Sequence, residues 1–334
     1  MRITTHRSAG LRRFIHQPEL FANPYGNFTL TARDNEILDL VQRYRYLEAR
    51  HILAMIAGSD QQITRRLQGL FHNGYIRRYA ARHRMRPDLD PGAPLIAYGL
   101  ELRGARVLAA RPPDLATADG RQPEPVRWKK DYTRRTEWFL EHQLMISNFR
   151  CVLELALRET PDLKLLSWAQ GHDTWLRATI PVHPRRTVRV APDASFTLLD
   201  AGKERHFFLE MDRSTEEHRR LLQKYLGYWW YLQSLEFQQA HTGSRRVNVL
   251  FVTTGHQRML NMMETLREMP RPNRAPHGGK GLFAFCLDSD FELGRPSSII
   301  RPIWRTGPHP PGNPGARFLA LFFTSPPPPY VRST

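Results

Sequence analysis

Between residues 163 and 287, apolar runs of strand length alternate with stretches of helical periodicity. That alternation constrains the fold more than any other feature of the chain. The runs fall at 163–168, 188–199, 206–212, 247–253 and 282–287. Helical spacing occupies 215–237 and 257–269, and a long helix, 138–157, precedes the first strand. Strands interleaved with helices predict an α/β domain, a mixed sheet flanked by helices. The helix at 215 opens on Ser214-Thr215-Glu216-Glu217, a cap with acids in its first turn.

The N-terminal third has a different pattern. Thr31 caps a helix whose apolar face is Ile37, Leu38, Leu40 and Val41. A short helix at 47–56 ends near Gly58, and Ser59 caps a third at 60–72. Ile63, Leu67, Leu70 and Phe71 give that helix its inner face. Gln61, Gln62, Thr64, Arg65, Arg66 and Gln68 are left outside. After the Asn73-Gly74 turn, strands are expected at 75–79 and 95–98, with Arg77, Arg78, Arg82, Arg84 and Arg86 crowding the hairpin. Three helices and a basic hairpin resemble a winged helix-turn-helix. There the third helix reads base edges in the major groove and the wing touches phosphates.

Charge supports a polyanionic partner. The 334 residues carry 49 Lys plus Arg against 32 acids, a net +17. Residues 1–86 hold 15 Arg, no Lys and 6 acids, so over half of that excess sits there. Arginine suits planar phosphate and base contacts better than lysine does. Double-stranded DNA is the expected partner and an anionic membrane surface the rival. A solvated helix face on a protein-docking module is the plainer reading of the same arginines. No apolar run of about 18 residues is present to cross a membrane, and no secretory leader is visible, so a cytoplasmic location is expected. Cys151 and Cys286 are too few for a disulfide framework or a cysteine zinc site.

Prolines mark the joints. The expected organisation is a basic tail at 1–26, a winged helix at 27–110, a proline-rich linker at 111–128, an α/β domain at 129–300 and a proline-rich tail at 301–334. An apolar patch at 317–323 in that tail is expected to dock as a short strand.

Chemistry concentrates at three points of the α/β region. Pro192-Asp193 lies in the second strand. Glu210-Met211-Asp212 ends the third, where strand alternation puts Glu210 and Asp212 on one face. Lys224 and Tyr228 lie one turn apart on the next helix, with Glu217 expected on the same face. Two acids on one face of an apolar strand are costly unless a cation or base meets them. The plain reading pairs them with Arg213 and Lys224.

These residues resemble the PD-(D/E)xK nuclease superfamily, whose core places an acid in strand two and (D/E)xK in strand three. Pro192-Asp193 matches the first element and Glu210-Met211-Asp212 the second, except that Asp212 stands where the family has lysine. The resemblance implies that Lys224 supplies the displaced amine. Joined to a basic winged helix, this core looks most like the replication-relaxation family of plasmid and mobile-element proteins. The resemblance implies Mg²⁺ held by Asp193 and Glu210, with Asp212 and Lys224 completing a site for phosphodiester hydrolysis. It also implies a relaxase, a replication initiator or a second copy of the chain as protein partner. The alternative is a non-catalytic DNA-binding regulator or adaptor whose nuclease-like domain serves dimerisation or docking.

Overall fold

The computed structural model describes residues 28–82, 94–111, 126, 128, 136–180, 186–213, 216–232, 234, 237, 247–269, 282–306 and 318–319. Contacts divide the chain into two units, 1–151 and 152–334.

In the first unit, helices α1 (Ala32–Tyr44), α2 (Ala49–Met55) and α3 (Asp60–His72) precede a hairpin of β2 (Ile76–Arg82) and β3 (Pro94–Leu100). A short strand, β1 (Tyr46–Glu48), pairs with β3 to give an antiparallel sheet of order β1-β3-β2. The helix expected at 47–56 therefore starts two residues later, because Leu47 and Glu48 pair with Tyr98 and Ala97 in the sheet. A further helix, α4 (Leu102–Ala109), was not expected. It follows β3 directly, Glu101 capping its first amide.

Thr31 caps α1 through a capping box with Asp34. Asp34 is fully buried, and Arg66 of α3 donates to it at 2.8 Å through Nε. Arg66 also donates to the Thr29 carbonyl and lies over the Phe28 ring. Phe28 fits because residue 69 is glycine: a Cβ there would come within 2.4 Å of the ring.

The helix α5 (Glu137–Arg158) crosses the division between the units. Its first part belongs to unit one. Leu140 and Leu144 pack with Tyr46, Tyr79 and Ala97, Ser147 donates to the Tyr46 carbonyl, and Arg150 to that of Arg43.

The second unit is built on a seven-stranded mixed sheet of order β12-β11-β10-β9-β8-β7-β4. Its strands are β4 (Leu163–Gln170), β7 (Ala194–Asp200), β8 (Lys203–Asp212), β9 (Val247–Thr253), β10 (Phe283–Leu287), β11 (Trp304–Thr306) and β12 (Phe318–Leu319). The central pairs β8–β9 and β9–β10 are parallel and the outer ones antiparallel. This is the α/β architecture that the alternation of strands and helices predicts. The short strand expected from the 317–323 patch is β12, and the expected tail from 301 also contributes β11.

The single strand expected at 188–199 is two. β6 (Arg186–Val190) pairs with β5 (Leu176–Ile180) as a separate ribbon, and β7 begins at Ala194. Pro192 separates them, since its ring fixes φ and leaves no N–H for a ladder. The Pro-Asp pair is thus a junction, not a strand interior.

Helices α6 (His218–Leu232) and α7 (His256–Arg267) supply the core on one side of the sheet. Leu221, Tyr225, Tyr228, Met259 and Met262 pack with Phe208, Val249, Phe251, Phe283 and Phe285. Phe207, on the alternate face of β8, stacks on Phe196 at 4.8 Å.

The β7–β8 hairpin turns on Ala201 and Gly202, both at positive φ (47° and 79°), as a type I′ turn requires. Alanine is disfavoured there and asparagine tolerated. Replacing Ala201 with Asn should stabilise the protein by about 0.5–1 kcal/mol, read as a higher urea midpoint at unchanged slope. A lower midpoint would show that the turn does not hold this conformation.

Candidate functional site

The rim of the sheet where β8 ends gathers the polar residues of the second unit. β8 is buried from His206 to Asp212, so Glu210 leaves water when the strand forms; it is 3% exposed. Asp193 is clipped to the backbone on both sides of Glu210. Its N–H donates to the Leu209 carbonyl at 3.0 Å, and its Oδ2 accepts from the Met211 N–H at 2.8 Å. The neighbouring Pro192 carbonyl accepts from Thr174 Oγ1, a hydroxyl of the 3-10 turn Gly171–Thr174.

The helix α6 delivers two groups to Glu210. Lys224 Nζ lies 3.0 Å from Oε2, and the buried Tyr228 hydroxyl donates to Oε1. Lys224 also meets Glu216 at 3.0 Å. Glu216 takes the place expected of Glu217. Because α6 begins at His218, helical phase does not extend back to residue 217.

Asp212 faces a different cation. Arg258 of α7 donates to it twice, through Nε and Nη2 at 2.9 Å each, and Thr253 donates at 2.8 Å. Lys224, the other cation expected near it, meets Glu210 and Glu216. Arg258 also donates to the Glu216 carbonyl at 2.7 Å. Thr253 and Arg258 carried no sequence signal, since they lie 41 and 46 residues from Asp212. The Lys224–Tyr228 spacing was the legible part.

Burial pushes the Glu210 carboxyl up to about 7 despite the opposing pull of Lys224, and the Asp193 charge adds to the rise. Burial works against the Lys224 ammonium, but Glu210, Glu216 and Asp193 outweigh it and raise its pKa. Burial likewise raises the Tyr228 hydroxyl, helped by Glu210, so it stays a donor.

Asp193 and Glu210 carry carboxylate oxygens, the donor type that Mg²⁺ takes. Among the described residues, no group of three or more His, Cys, Asp or Glu stands placed to hold a metal. Two carboxylates fit Mg²⁺ in the mode that leaves its other positions to water and phosphate.

In the first unit, Gln61, Gln62, Thr64 and Arg65 are exposed along α3, and Gln68 is half-buried. Arg66 is instead a strut to Asp34. Arg77 pairs with Glu101, and Arg78 lies over the Phe71 and Tyr98 rings. The side chain of Arg82, and Arg84 and Arg86 entirely, lie outside the described residues. No helix among the described residues is long and apolar enough to cross a membrane.

A family model described as replication-relaxation matches residues 38–247. No curated protein matches the chain. Among solved structures, the crystal structure of protein VC1899 from Vibrio cholerae aligns with 81% of this chain and 56% of its own, at 10% identity and a TM-score of 0.27. Likeness at that level does not define a shared fold.

The raised Glu210 carboxyl has a consequence for stability. Between pH 4.5 and about 7 the folded chain keeps a proton that the unfolded chain has lost, so stability falls over that window and then levels off. Glu210→Gln, which mimics the protonated form, removes this slope. The wild type should lose about 3 kcal/mol relative to that variant as pH rises through the window, measured by urea unfolding. A pH-independent difference would mean that Glu210 is ionised throughout.

Proposed function

The chain belongs to the replication-relaxation family, and from that premise we propose that it binds duplex DNA of plasmids or mobile elements and cleaves it with Mg²⁺. The observation that carries the catalytic half is the meeting of Asp193, Glu210 and Lys224 at one rim of the sheet. Asp193 and Lys224 both reach the Glu210-Met211 segment, Asp193 through the Met211 N–H and Lys224 through the Glu210 carboxylate, although the lysine stands outside the motif's own spacing.

The first unit, with three helices and an antiparallel hairpin, is read as a winged helix. Arg65 and the neighbouring Gln61, Gln62 and Thr64 form its exposed reading face. Arg66, Arg77 and Arg78 hold that face in shape.

In the second unit, Asp193 and Glu210 are the residues that would hold the metal. When bound, Mg²⁺ supplies charge neutralisation at the phosphate and a water of lowered pKa. The backbone clip fixes the Asp193 carboxylate in direction, so little ordering remains to be done on binding. Glu210 must be ionised to serve as a ligand, so a metal would compete there with a proton that burial helps to retain. Tyr228 holds one Glu210 oxygen, and the Lys224 ammonium at the other provides fixed positive charge for a pentacoordinate phosphate. Asp212 acts through Arg258 to position Glu216 and with it Lys224.

The non-catalytic reading draws on one observation: both Glu210 oxygens already accept from this chain's own donors. Incubation of supercoiled plasmid with Mg²⁺ or Mn²⁺ separates the two. Nicking is expected from the wild type, rising with pH through about 7, and is expected to fall at least ~100-fold in Asp193→Asn. Equal background in both would leave a DNA-binding protein without catalysis.

Binding is tested without metal. Arg65→Ala should weaken duplex affinity about 3- to 10-fold and reduce the salt slope by about 0.9, while Lys164→Ala on β4 should leave both unchanged. Equal losses would remove α3 as the reading helix.

A further inference from the structure

The β5–β6 ribbon carries an arrangement that the site above does not use. Its inner residues, Leu176 and Val190, join the core cluster with Leu221 and Tyr225 of α6. Strand alternation then turns Trp175, Arg177, Thr187 and Arg189 outward, and all four are exposed. The register sets Arg177 directly across from Arg189. Like charges in that position repel each other. Neither arginine meets a carboxylate among the described residues, whereas Arg66, Arg111, Arg205, Arg258 and Arg305 each hold one.

Arg189 is not loose, however. Its guanidinium lies 3.3 Å over the ring of Trp175, and the His172 ring stands edge-on to the same indole at 4.0 Å. Stacking uses the face of the guanidinium and leaves its N–H donors in plane, where they can fork onto an anion. An exposed tryptophan thus serves as a platform that orients a cation. Two opposed arginines that meet no carboxylate among the described residues, one of them pre-positioned on Trp175, are the complement of a phosphate between them.

The ribbon runs straight into the candidate site. Only Ala191 and Pro192 separate Val190 from Asp193. Four residues of extended chain span at most about 14 Å, so Arg189 lies within a few nucleotides' rise of the acids. We infer that the outer face of the β5–β6 ribbon, Arg177 and Arg189 with Trp175 beneath, grips the phosphodiester backbone of the DNA strand that enters the Asp193–Glu210 site. This rests on the DNA-cleaving reading above and names the surface of the second unit that holds the substrate.

The test uses the full chain with chelator present, so that binding is read apart from cleavage. Affinity for a labelled duplex is measured by anisotropy across a salt series. The Arg177→Ala/Arg189→Ala double variant should bind about 10-fold more weakly, with its salt slope shallower by about 1.8. Trp175→Ala should lose about 3-fold through Arg189 alone, and Trp175→Phe, which keeps a ring, should restore most of it. Unfolding midpoints near that of the wild type establish that the variants are folded. If the wild type binds and the double variant binds equally well with the same slope, the ribbon is not a DNA surface and this inference fails alone. An acidic protein partner would then be the occupant to seek. If millimolar inorganic phosphate at matched ionic strength displaces the duplex, the ribbon is a small-anion site and the inference also fails. If the wild type does not bind DNA at all, both readings fall together, and the Arg65→Ala comparison shows this independently.

Discussion

One residue's backbone and side chain decide whether the rim of the second unit is a site at all. Asp193 holds the Leu209 carbonyl with its N–H and the Met211 N–H with its carboxylate, bracketing Glu210. That bracket exists only in one register of the β7–β8 hairpin. A slip of one residue would turn Glu210 to the opposite face and bring Met211 under Lys224. The register is fixed at the far end by the two-residue turn at Ala201 and Gly202. At the near end, Thr174 fixes the Pro192 carbonyl. The proline that breaks the strand thus frees Asp193 from the ladder, and the clip restores the hydrogen bonds the break would leave unmade.

Burying Glu210 costs free energy that a merely structural strand end would avoid by carrying an apolar side chain. The chain answers with two donors from one helix face, Lys224 and Tyr228, spaced one turn apart. The compensation is incomplete, as the upward displacement of the Glu210 carboxyl to about 7 records. Burial therefore holds the Glu210 carboxyl above the ordinary carboxylate range although Lys224 and Tyr228 both bind it.

Much of this was legible in the sequence, and the failures have identifiable causes. The apolar runs gave the strands of the α/β core, because buried parallel strands read as continuous hydrophobic stretches. The Lys224–Tyr228 face followed from helical spacing. The run 188–199 reads as one strand because its apolar residues resume at Ala194 directly after Pro192-Asp193, so only the proline marks the break. Arginine counts in the first unit carry no positional information. Composition cannot distinguish Arg65, which faces water, from Arg66, which closes a buried pair with Asp34 across 32 residues. The Trp175–Arg189 stack was invisible too, since it joins the residue before β5 to β6, a pairing the sequence did not reveal.

The departure from the nuclease pattern at position 212 also finds its reason in contacts of this long range. An acid where lysine is expected places a second buried carboxylate two residues from the first, and it requires its own cation. Arg258 provides it from α7, and the same guanidinium takes the Glu216 carbonyl. Glu216 in turn holds Lys224, and Lys224 reaches Glu210. Asp212, Arg258, Glu216, Lys224 and Glu210 thus form one alternating chain of charge that ties residue 212 to Lys224. Removing Arg258 would leave Asp212 buried without its cation and release the segment that presents Glu216. Lys224 would then keep its contact with Glu210 and lose the fixed position of its contact with Glu216, leaving a flexible side chain with one firm anchor instead of two.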